Sequence, residues 1–228
     1  MSPPDFTTAP DPEGAAMSAA QELIRVAREG GHIALSGGGT PRRAYELAAE
    51  LEPRWDGVEL WWADERCVPP EHELSNFRLV RETLLDRLER PPRAVHRIQG
   101  ELEAEAAAAA YERELAGVTL DLALLGIGDD GHTASLFPHA PELAESERLA
   151  VAAEPRHEPF VDRVTLTLPM LRAARAVVFL VVGRDKAEVV PKAFRGDPDP
   201  ATPSSLVRSE TGRTLVVLDE AAARMLSS

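Results

Sequence analysis

Two uninterrupted apolar runs constrain the fold of this 228-residue chain more than any other feature. Residues 123–127 read ALLGI and residues 176–182 read AVVFLVV. A strand with one face in water alternates apolar and polar residues, whereas a strand covered on both faces is apolar throughout. We therefore expect both runs to be strands, buried on both faces, of a mostly parallel sheet that is flanked by helices.

Further strand-like runs alternate with helical patterns, which is typical of a single α/β domain. Strands are predicted at His32–Leu35, Val58–Trp62, Leu120–Ile127, Leu149–Ala153, Val164–Leu168, Ala176–Val182 and Thr214–Leu218. Helices are predicted at Glu13–Arg28, Arg42–Leu51, Asn76–Arg90, Ala104–Ala116, Pro169–Arg175, Arg184–Phe194 and Glu220–Met225. Ser75 is the expected N-cap of the third helix. Pro191 lies inside the sixth pattern, so we expect that helix to be kinked or to begin again there.

The ends and composition bound the class of protein. Residues 1–12 are rich in proline, threonine and acidic residues and are predicted to be a disordered tail, which leaves residues 13–228 for the domain. The start lacks a basic segment and an apolar stretch, so no signal peptide is expected. No apolar run approaches the ~20 residues of a membrane span. Cys67 is the single cysteine, which excludes an internal disulfide and favours a cytoplasmic location.

The formal net charge of −13 at pH 7 argues against nucleic acid as the main partner, because phosphate backbones bind basic surfaces. It is compatible with a small phosphorylated ligand. Exposed charges more than about 10 Å apart are largely screened at physiological salt, so a few local basic groups can dominate a pocket. We expect a small-molecule substrate, no nucleic-acid or membrane partner, and a monomer or weak homo-oligomer.

The loop 126–138, GIGDDGHTASLFP, follows a predicted strand and carries one histidine, His132, behind two aspartates. Ligands of α/β enzymes bind beyond the carboxyl ends of parallel strands, and an imidazole titrates near neutral pH, as suits a general base. Because Asp130 and Gly131 flank it, we interpret His132 as a candidate catalytic base. The alternative is a histidine whose hydrogen bonds are satisfied within the loop.

Three other chemistries are poorly supported by the same region. Gly126, Gly128 and Gly131 spell the dinucleotide pattern G-x-G-x-x-G, but that pattern needs a helix to begin at its third glycine, and HTASLFP follows instead. Ser135 is not in a G-x-S-x-G elbow, so a nucleophilic serine is not expected. The six histidines are scattered and form no zinc-ligand spacing, so no metal is expected.

The loop 36–41, SGGGTP, joins the first predicted strand to the second predicted helix. Its glycines, Gly37, Gly38 and Gly39, let backbone N–H groups approach a ligand, and Thr40 is expected to cap the helix. Helix N-termini attract anions, so the loop predicts a phosphate site. It is not a P-loop, because no lysine follows the glycines. The alternative is a tight turn without a ligand.

Basic residues near strand and helix ends are candidate phosphate partners. Arg163 starts a predicted strand and Lys186 opens a predicted helix; arginine offers a planar fork and lysine a point charge, although either could be an ordinary surface residue. Arg66 ends the segment 64–66, DER, of which at most one or two side chains can line one pocket, since adjacent strand residues point to opposite faces. Cys67 lacks a clear histidine partner, so we do not assign it as a nucleophile.

The chain resembles the 6-phosphogluconolactonase family in five segments: SGGGTP (36–41), WADERCVPPEHELSNFRLVRETLL (62–85), LLGIGDDGHTASLFP (124–138), RVTLTLP (163–169) and GRDKAEVV (183–190). They follow the family's order and span nearly the whole chain after the N-terminal tail. The resemblance implies a Rossmann-like α/β fold, shared with glucosamine-6-phosphate deaminases. It also implies hydrolysis of 6-phospho-D-glucono-1,5-lactone to 6-phosphogluconate in the oxidative pentose phosphate pathway, without a cofactor or metal.

The resemblance also assigns roles to residues. It implies that His132 is the base that takes a proton from water; our hypothesis for Asp130 is that it orients the imidazole or stabilises its charged form. Arg66 is expected near the substrate. The positions expected around the phosphate are Gly37, Gly38, Gly39, Thr40, Arg163 and Lys186. The family's loop usually reads SGGST, so the glycine at position 39 removes one possible hydroxyl contact.

Two alternatives are weighed against the lactonase. Glucosamine-6-phosphate deaminases typically continue from D-G-H toward an F-N-E-P-like segment that supplies a further carboxylate; here TASLFP follows, with no acidic residue before Glu142. A sugar-phosphate sensor without catalysis is the second alternative. The presence of His132, Arg163 and Lys186 argues against a decayed site.

Overall fold

The computed structural model describes residues 3–226. The strands are β1 (Asp5–Ala9), β2 (Gly31–Leu35), β3 (Val58–Trp62), β4 (Asp64–Arg66), β5 (Ala94–His96), β6 (Leu122–Leu125), β7 (Ala150–Ala153), β8 (Arg163–Leu166), β9 (Ala176–Val181) and β10 (Arg213–Asp219). The α-helices are α1 (Pro12–Glu29), α2 (Arg42–Leu51), α3 (Asn76–Thr83), α4 (Ala104–Leu115), α5 (Leu168–Ala173), α6 (Val189–Phe194) and α7 (Glu220–Ala223).

The main sheet is parallel and has the order β1-β10-β9-β6-β2-β3-β5. Every residue of β6 and β9 is buried, as expected for the two apolar runs. Helices flank the sheet; α1, for example, packs against β9 and β10. The predicted single α/β domain with a mostly parallel sheet is confirmed.

A second, antiparallel sheet has the order β4-β8-β7. It begins immediately after β3, because Ala63 separates β3 from β4. In its register Asp64 lies opposite Thr165, and Arg66 lies opposite Arg163. This small sheet therefore brings the DER segment beside the start of β8, although the two are about 100 residues apart in sequence.

The N-terminal tail is the main correction to the predicted organisation. Residues 5–9 form the edge strand β1, in parallel register with β10, and α1 begins at Pro12; residues 1–2 lie outside the described residues. The sequence DFTTA is polar because three of its five side chains are exposed at the sheet edge. Its pairing depends on backbone hydrogen bonds and on the packing of Phe6 against Phe194, with ring centroids 6.3 Å apart. Residues 5–9 and 12 therefore belong to the domain.

Helix boundaries follow local capping. The Ser75 hydroxyl accepts a hydrogen bond from the Arg78 N–H (3.1 Å), which confirms it as the N-cap of α3. That helix ends at Thr83, earlier than predicted, and a 3-10 turn follows at Leu85–Arg87. The sixth predicted helix is divided into a 3-10 turn at Arg184–Lys186 and α6, so it begins again as expected, with Pro191 in its first turn.

Over residues 3–226, no helix combines the length and the apolar character that a membrane crossing requires.

Candidate active site

A cleft opens at the carboxyl ends of β2 and β6, which are neighbours in the main sheet. Its walls are the loop after β2, the loop after β6 and side chains of the small sheet. Six of the predicted site residues line it: Gly37, Gly38, Thr40, Arg66, His132 and Arg163. Among the described residues, Gly39, Asp130 and Lys186 do not line the cleft.

His132 is held by the carboxylate behind it. The Nδ1 of His132 lies 2.6 Å from Oδ1 of Asp130, and the same oxygen accepts the His132 backbone N–H at 3.0 Å. A carboxylate is an acceptor, so we assign the ring proton to Nδ1, which leaves Nε2 as an acceptor. The ring also packs against Phe137, with centroids 5.0 Å apart. The geometry thus fixes both the tautomer and the orientation of the imidazole.

The same contacts stabilise the ionised form of Asp130. Burial on its own would raise the pKa of Asp130, but hydrogen bonds from the ring and backbone of His132 lower that pKa to about 2. The carboxylate is therefore ionised at neutral pH. An ionised partner at Nδ1 stabilises the positive charge that the ring acquires when Nε2 takes a proton.

Gly128 makes room for this pair. A Cβ at position 128 would collide with Nδ1 of His132 and would lie 2.6 Å from Oδ1 of Asp130. Gly131 has φ +88°, in the left-handed region that favours glycine, and a Cβ there would lie 2.9 Å from Cγ2 of Thr202. Two of the three glycines that mimic a dinucleotide pattern are therefore required by the histidine loop itself.

The glycine-rich loop after β2 is anchored beneath the cleft. The Tyr45 hydroxyl donates a hydrogen bond to the Ser36 carbonyl at 2.6 Å. Gly37 lies so close to Asn76 that a Cβ would overlap its side-chain oxygen, and Gly38 has φ +88°. Gly39, in contrast, has open space around it, so a serine at this position meets no steric obstacle.

Thr40 does not cap α2 as predicted. Pro41 occupies the N-cap position of that helix, and the cap has no side-chain hydrogen bond. Proline has no side-chain acceptor, so the first turn of α2 lacks a side-chain cap. The Thr40 side chain is instead part of the cleft wall.

Two arginines bring positive charge to the cleft. Nη1 of Arg66 donates to the Leu74 carbonyl (2.8 Å) and to Oδ1 of Asn76 (2.7 Å). Arg163 is only 3% exposed, and burial lowers its pKa. Its guanidinium lies over the Phe137 ring at 5.3 Å. Within residues 3–226 neither arginine forms an ion pair, and the buried Nε of each has no hydrogen-bond partner. This arrangement suits an anion.

Asp64 and Glu65 bind different parts of the structure, and the sequence did not predict which of the two faces the cleft. The Glu65 carboxylate accepts hydrogen bonds from the backbone N–H groups of Asn76 and Phe77, both at 2.8 Å, at the N-terminus of α3. It is buried, and burial raises its pKa. Glu65 therefore holds α3 against the small sheet, where an acidic side chain complements the helix dipole.

Asp64 faces the cleft and connects the histidine loop to the start of α3. Its Oδ2 accepts a hydrogen bond from the Ser135 hydroxyl at 2.6 Å, and its backbone carbonyl accepts one from the Asn76 amide at 2.8 Å. Because Asn76 also holds Arg66, these contacts link the DER segment to the histidine loop. Neither the role of Asn76 nor that of Asp64 in the site was predicted from the sequence, although both residues lie inside the segment 62–85 that carries the family resemblance.

Lys186 and Cys67 lie apart from this arrangement. Nζ of Lys186 is 3.2 Å from Oδ2 of Asp185 in the turn after β9, so its predicted phosphate contact stays a prediction. Cys67 is half-buried, and burial together with nearby acidic groups raises its pKa to about 11. A thiol with that pKa is a poor nucleophile at neutral pH. In the part of the chain described, no group of three or more His, Cys, Asp or Glu side chains is arranged to hold a metal ion.

Comparison with known proteins places these features in a family. Residues 10–216 match the family described as glucosamine-6-phosphate isomerases/6-phosphogluconolactonase. The chain is 37% identical to the 6-phosphogluconolactonase of Synechocystis over 206 residues, covering 86% of this chain and 85% of that protein. It is 40% identical to the human 6-phosphogluconolactonase over 210 residues, covering 86% of this chain and 80% of that protein.

Solved structures agree. The structure of 6-phosphogluconolactonase from Trypanosoma cruzi matches with a TM-score of 0.85 and 26% sequence identity, covering 99% of this chain and 97% of the other. The resemblance read from the sequence motifs is therefore confirmed over nearly the whole chain, and so is the α/β fold. This chain belongs to the glucosamine-6-phosphate isomerase/6-phosphogluconolactonase family.

Proposed function

We propose that this chain hydrolyses 6-phospho-D-glucono-1,5-lactone to 6-phosphogluconate, with His132 as the general base. The proposal is supported by the 6-phosphogluconolactonase relatives and, above all, by one observation: His132 lies in the cleft with Nδ1 bound to the ionised carboxylate of Asp130. That leaves Nε2 to accept a proton. The reaction would belong to the oxidative pentose phosphate pathway.

A lactone is an ester with an electrophilic carbonyl carbon, so water can attack it directly once the water is deprotonated. In the proposed reaction, Nε2 of His132 takes a proton as the water oxygen bonds to C1. The tetrahedral intermediate then collapses, the bond between C1 and the ring oxygen breaks, and the imidazolium returns its proton to that oxygen. Asp130 stabilises the imidazolium between the two transfers.

The substrate's charges can be matched to the cleft's donors. We propose that the phosphate binds to Arg163 and to the loop of Gly37, Gly38, Gly39 and Thr40, and that Arg66 or nearby N–H groups stabilise the oxyanion. Removing one oxyanion donor typically costs about 2.7–4 kcal/mol of transition-state stabilisation. Lys186 would contribute to the phosphate site by leaving Asp185. Binding the remote phosphate would orient the lactone carbonyl toward His132.

The test measures three properties of the purified chain: hydrolysis of 6-phosphogluconolactone, release of ammonia from glucosamine 6-phosphate, and binding of 6-phosphogluconate. We expect 6-phosphogluconolactone to be hydrolysed well above its spontaneous rate, and no ammonia to be released from glucosamine 6-phosphate. Ammonia release without lactone hydrolysis would assign the chain to the isomerase branch of its family. Binding of 6-phosphogluconate without turnover of the lactone would indicate a sensor. Either result would overturn the proposal.

A further inference from the structure

A second histidine stands beside the proposed base. The segment 154–162 joins β7 to β8, and we call it the strap. The His157 ring on the strap has its centroid 5.4 Å from that of His132, at an interplanar angle of 49°. Phe137 lies on the His132 ring as well, at 5.0 Å. The position of the His132 ring is therefore limited by contacts with both aromatic neighbours.

His157 also contacts the loop that carries His132. Its Nε2 lies 3.3 Å from Oδ1 of Asp129, and that oxygen accepts the backbone N–H of Asp130 at 3.1 Å. Asp130 in turn binds Nδ1 of His132. A continuous series of polar contacts thus runs from His157 through Asp129 and Asp130 to His132.

The strap is tied to the cleft at its other side. Nη2 of Arg163 donates hydrogen bonds to the backbone carbonyls of His157 (3.1 Å) and Pro159 (3.2 Å). The guanidinium of Arg163 is buried, so these bonds fix the His157 backbone to a rigid part of the site. The imidazole of His157 itself is oriented by two contacts, Nε2 with Asp129 and Nδ1 with the Glu158 carbonyl at 3.0 Å.

We propose that His157 is a positioning residue, which holds the His132 ring through Asp129 and through ring contact. The inference rests on the proposed role of His132. The family resemblance does not assign His157, which lies outside the five matching segments. Without His157 the His132 ring loses the contacts that hold it, so its reactivity should fall. Because His157 does not line the cleft, substrate binding should be nearly unchanged.

The experiment compares three variants with the wild-type chain in lactone hydrolysis. His157→Ala removes both contacts, whereas His157→Gln keeps an amide that can donate to Asp129. The matched control is Phe160→Ala, because Phe160 is on the same strap and the residue is 68% exposed. The His157 side chain is itself 42% exposed, so its truncation leaves no buried cavity.

We expect His157→Ala to lower kcat roughly tenfold, well inside the ~100-fold that a 1 Å misplacement of a catalytic group can cost, with little change in KM. His157→Gln should recover part of the loss, and Phe160→Ala should behave as wild type. When Asp129→Ala is already present, His157→Ala should lower kcat by a smaller factor than it does in the wild type, because both substitutions remove the same contacts.

Unchanged kcat in His157→Ala, or an equal loss in Phe160→Ala, would overturn the inference. So would a change confined to KM. His132→Asn separates this failure from that of the proposed function. If His132→Asn is inactive while His157→Ala is normal, only the positioning role is wrong; if His132→Asn is fully active, the assignment of the base is wrong.

Discussion

Arg66 and Arg163 lie directly opposite each other in the register of β4 and β8. Like charges at opposed positions destabilise a sheet, and within residues 3–226 no carboxylate pairs with either guanidinium. Burial lowers the pKa of Arg163, the nearby Asp64 carboxylate opposes that shift, and the charge of Arg66 adds a smaller lowering effect. The repulsion between the two arginines is partly offset by Asp64, and an anion bound in the cleft that both arginines line would offset it further.

The first prediction concerns Arg163→Lys. The substitution keeps the charge and removes the planar fork, and the loss of one hydrogen bond to a charged group costs about 1.5–3 kcal/mol. KM for the lactone should therefore rise roughly 10- to 100-fold, with a smaller change in kcat. Inorganic phosphate should raise the Tm of the wild type more than that of the variant. An unchanged KM would remove Arg163 from the phosphate site.

The second prediction compares two glycines of the histidine loop. Gly128→Ala places a methyl group against the His132 ring, so it should displace the ring and lower kcat strongly. Gly126→Ala is the control for displacement of the ring, because a Cβ there meets no described atom within 4 Å and its φ is outside the left-handed region; Gly126 also lines the cleft, so the comparison is made on kcat and not on KM. Steady-state kinetics of both variants should show the loss at position 128 alone. Equal kinetics in the two variants would contradict the steric argument.

The third prediction follows from the low pKa of Asp130. The carboxyl has a pKa of about 2 in the folded chain against an ordinary value of 3.8, so it stabilises the fold above about pH 4. That contribution is lost as pH falls from about 4 toward about 2. The difference in free energy of unfolding between wild type and Asp130→Asn, measured by urea denaturation, should be larger at pH 6 than at pH 3. An equal difference at both values would show that the His132 contact does not lower this pKa.

The fourth prediction concerns Cys67. With a pKa of about 11, the thiol is ionised in roughly 0.1% of molecules at pH 8. Its rate of alkylation by iodoacetamide should keep rising with pH up to at least 10, whereas a cysteine in a short peptide, with a pKa of about 8.5, levels off earlier. Cys67→Ser should retain lactone hydrolysis. A plateau below pH 9, or an inactive Cys67→Ser, would show that the thiol is more reactive than its burial indicates.

The sequence predicted the centre of the fold well and its edges poorly. The strands β6 and β9 are apolar throughout because both their faces are covered, so their composition identified them. The edge strand β1 has a polar sequence and depends on backbone pairing with β10, which composition does not reveal. The strands β4 and β5 have three residues each, too few to show a period.

In the site, features that depend on local sequence were predicted, whereas contacts between distant segments were not. The loop glycines and His132 could be located from the sequence because their roles are local to one turn. Asn76 and Ser135 could not, since each acts through Asp64, from which they are separated by 12 and 71 residues. The phosphate contact of Lys186, predicted from its place near a helix start, stays a prediction; its Nζ pairs with Asp185 in a 3-10 turn.

The most direct measurement is kcat for 6-phosphogluconolactone in His132→Asn, compared with His139→Asn. Both change a histidine near the cleft loop to asparagine, and asparagine tolerates the positive φ of 55° at position 139. Loss of a general base typically costs about 10²–10⁴-fold in rate. We expect a loss of that size in His132→Asn, with both variants folded and His139→Asn close to wild type. Normal turnover by His132→Asn would contradict the role of His132 as the base.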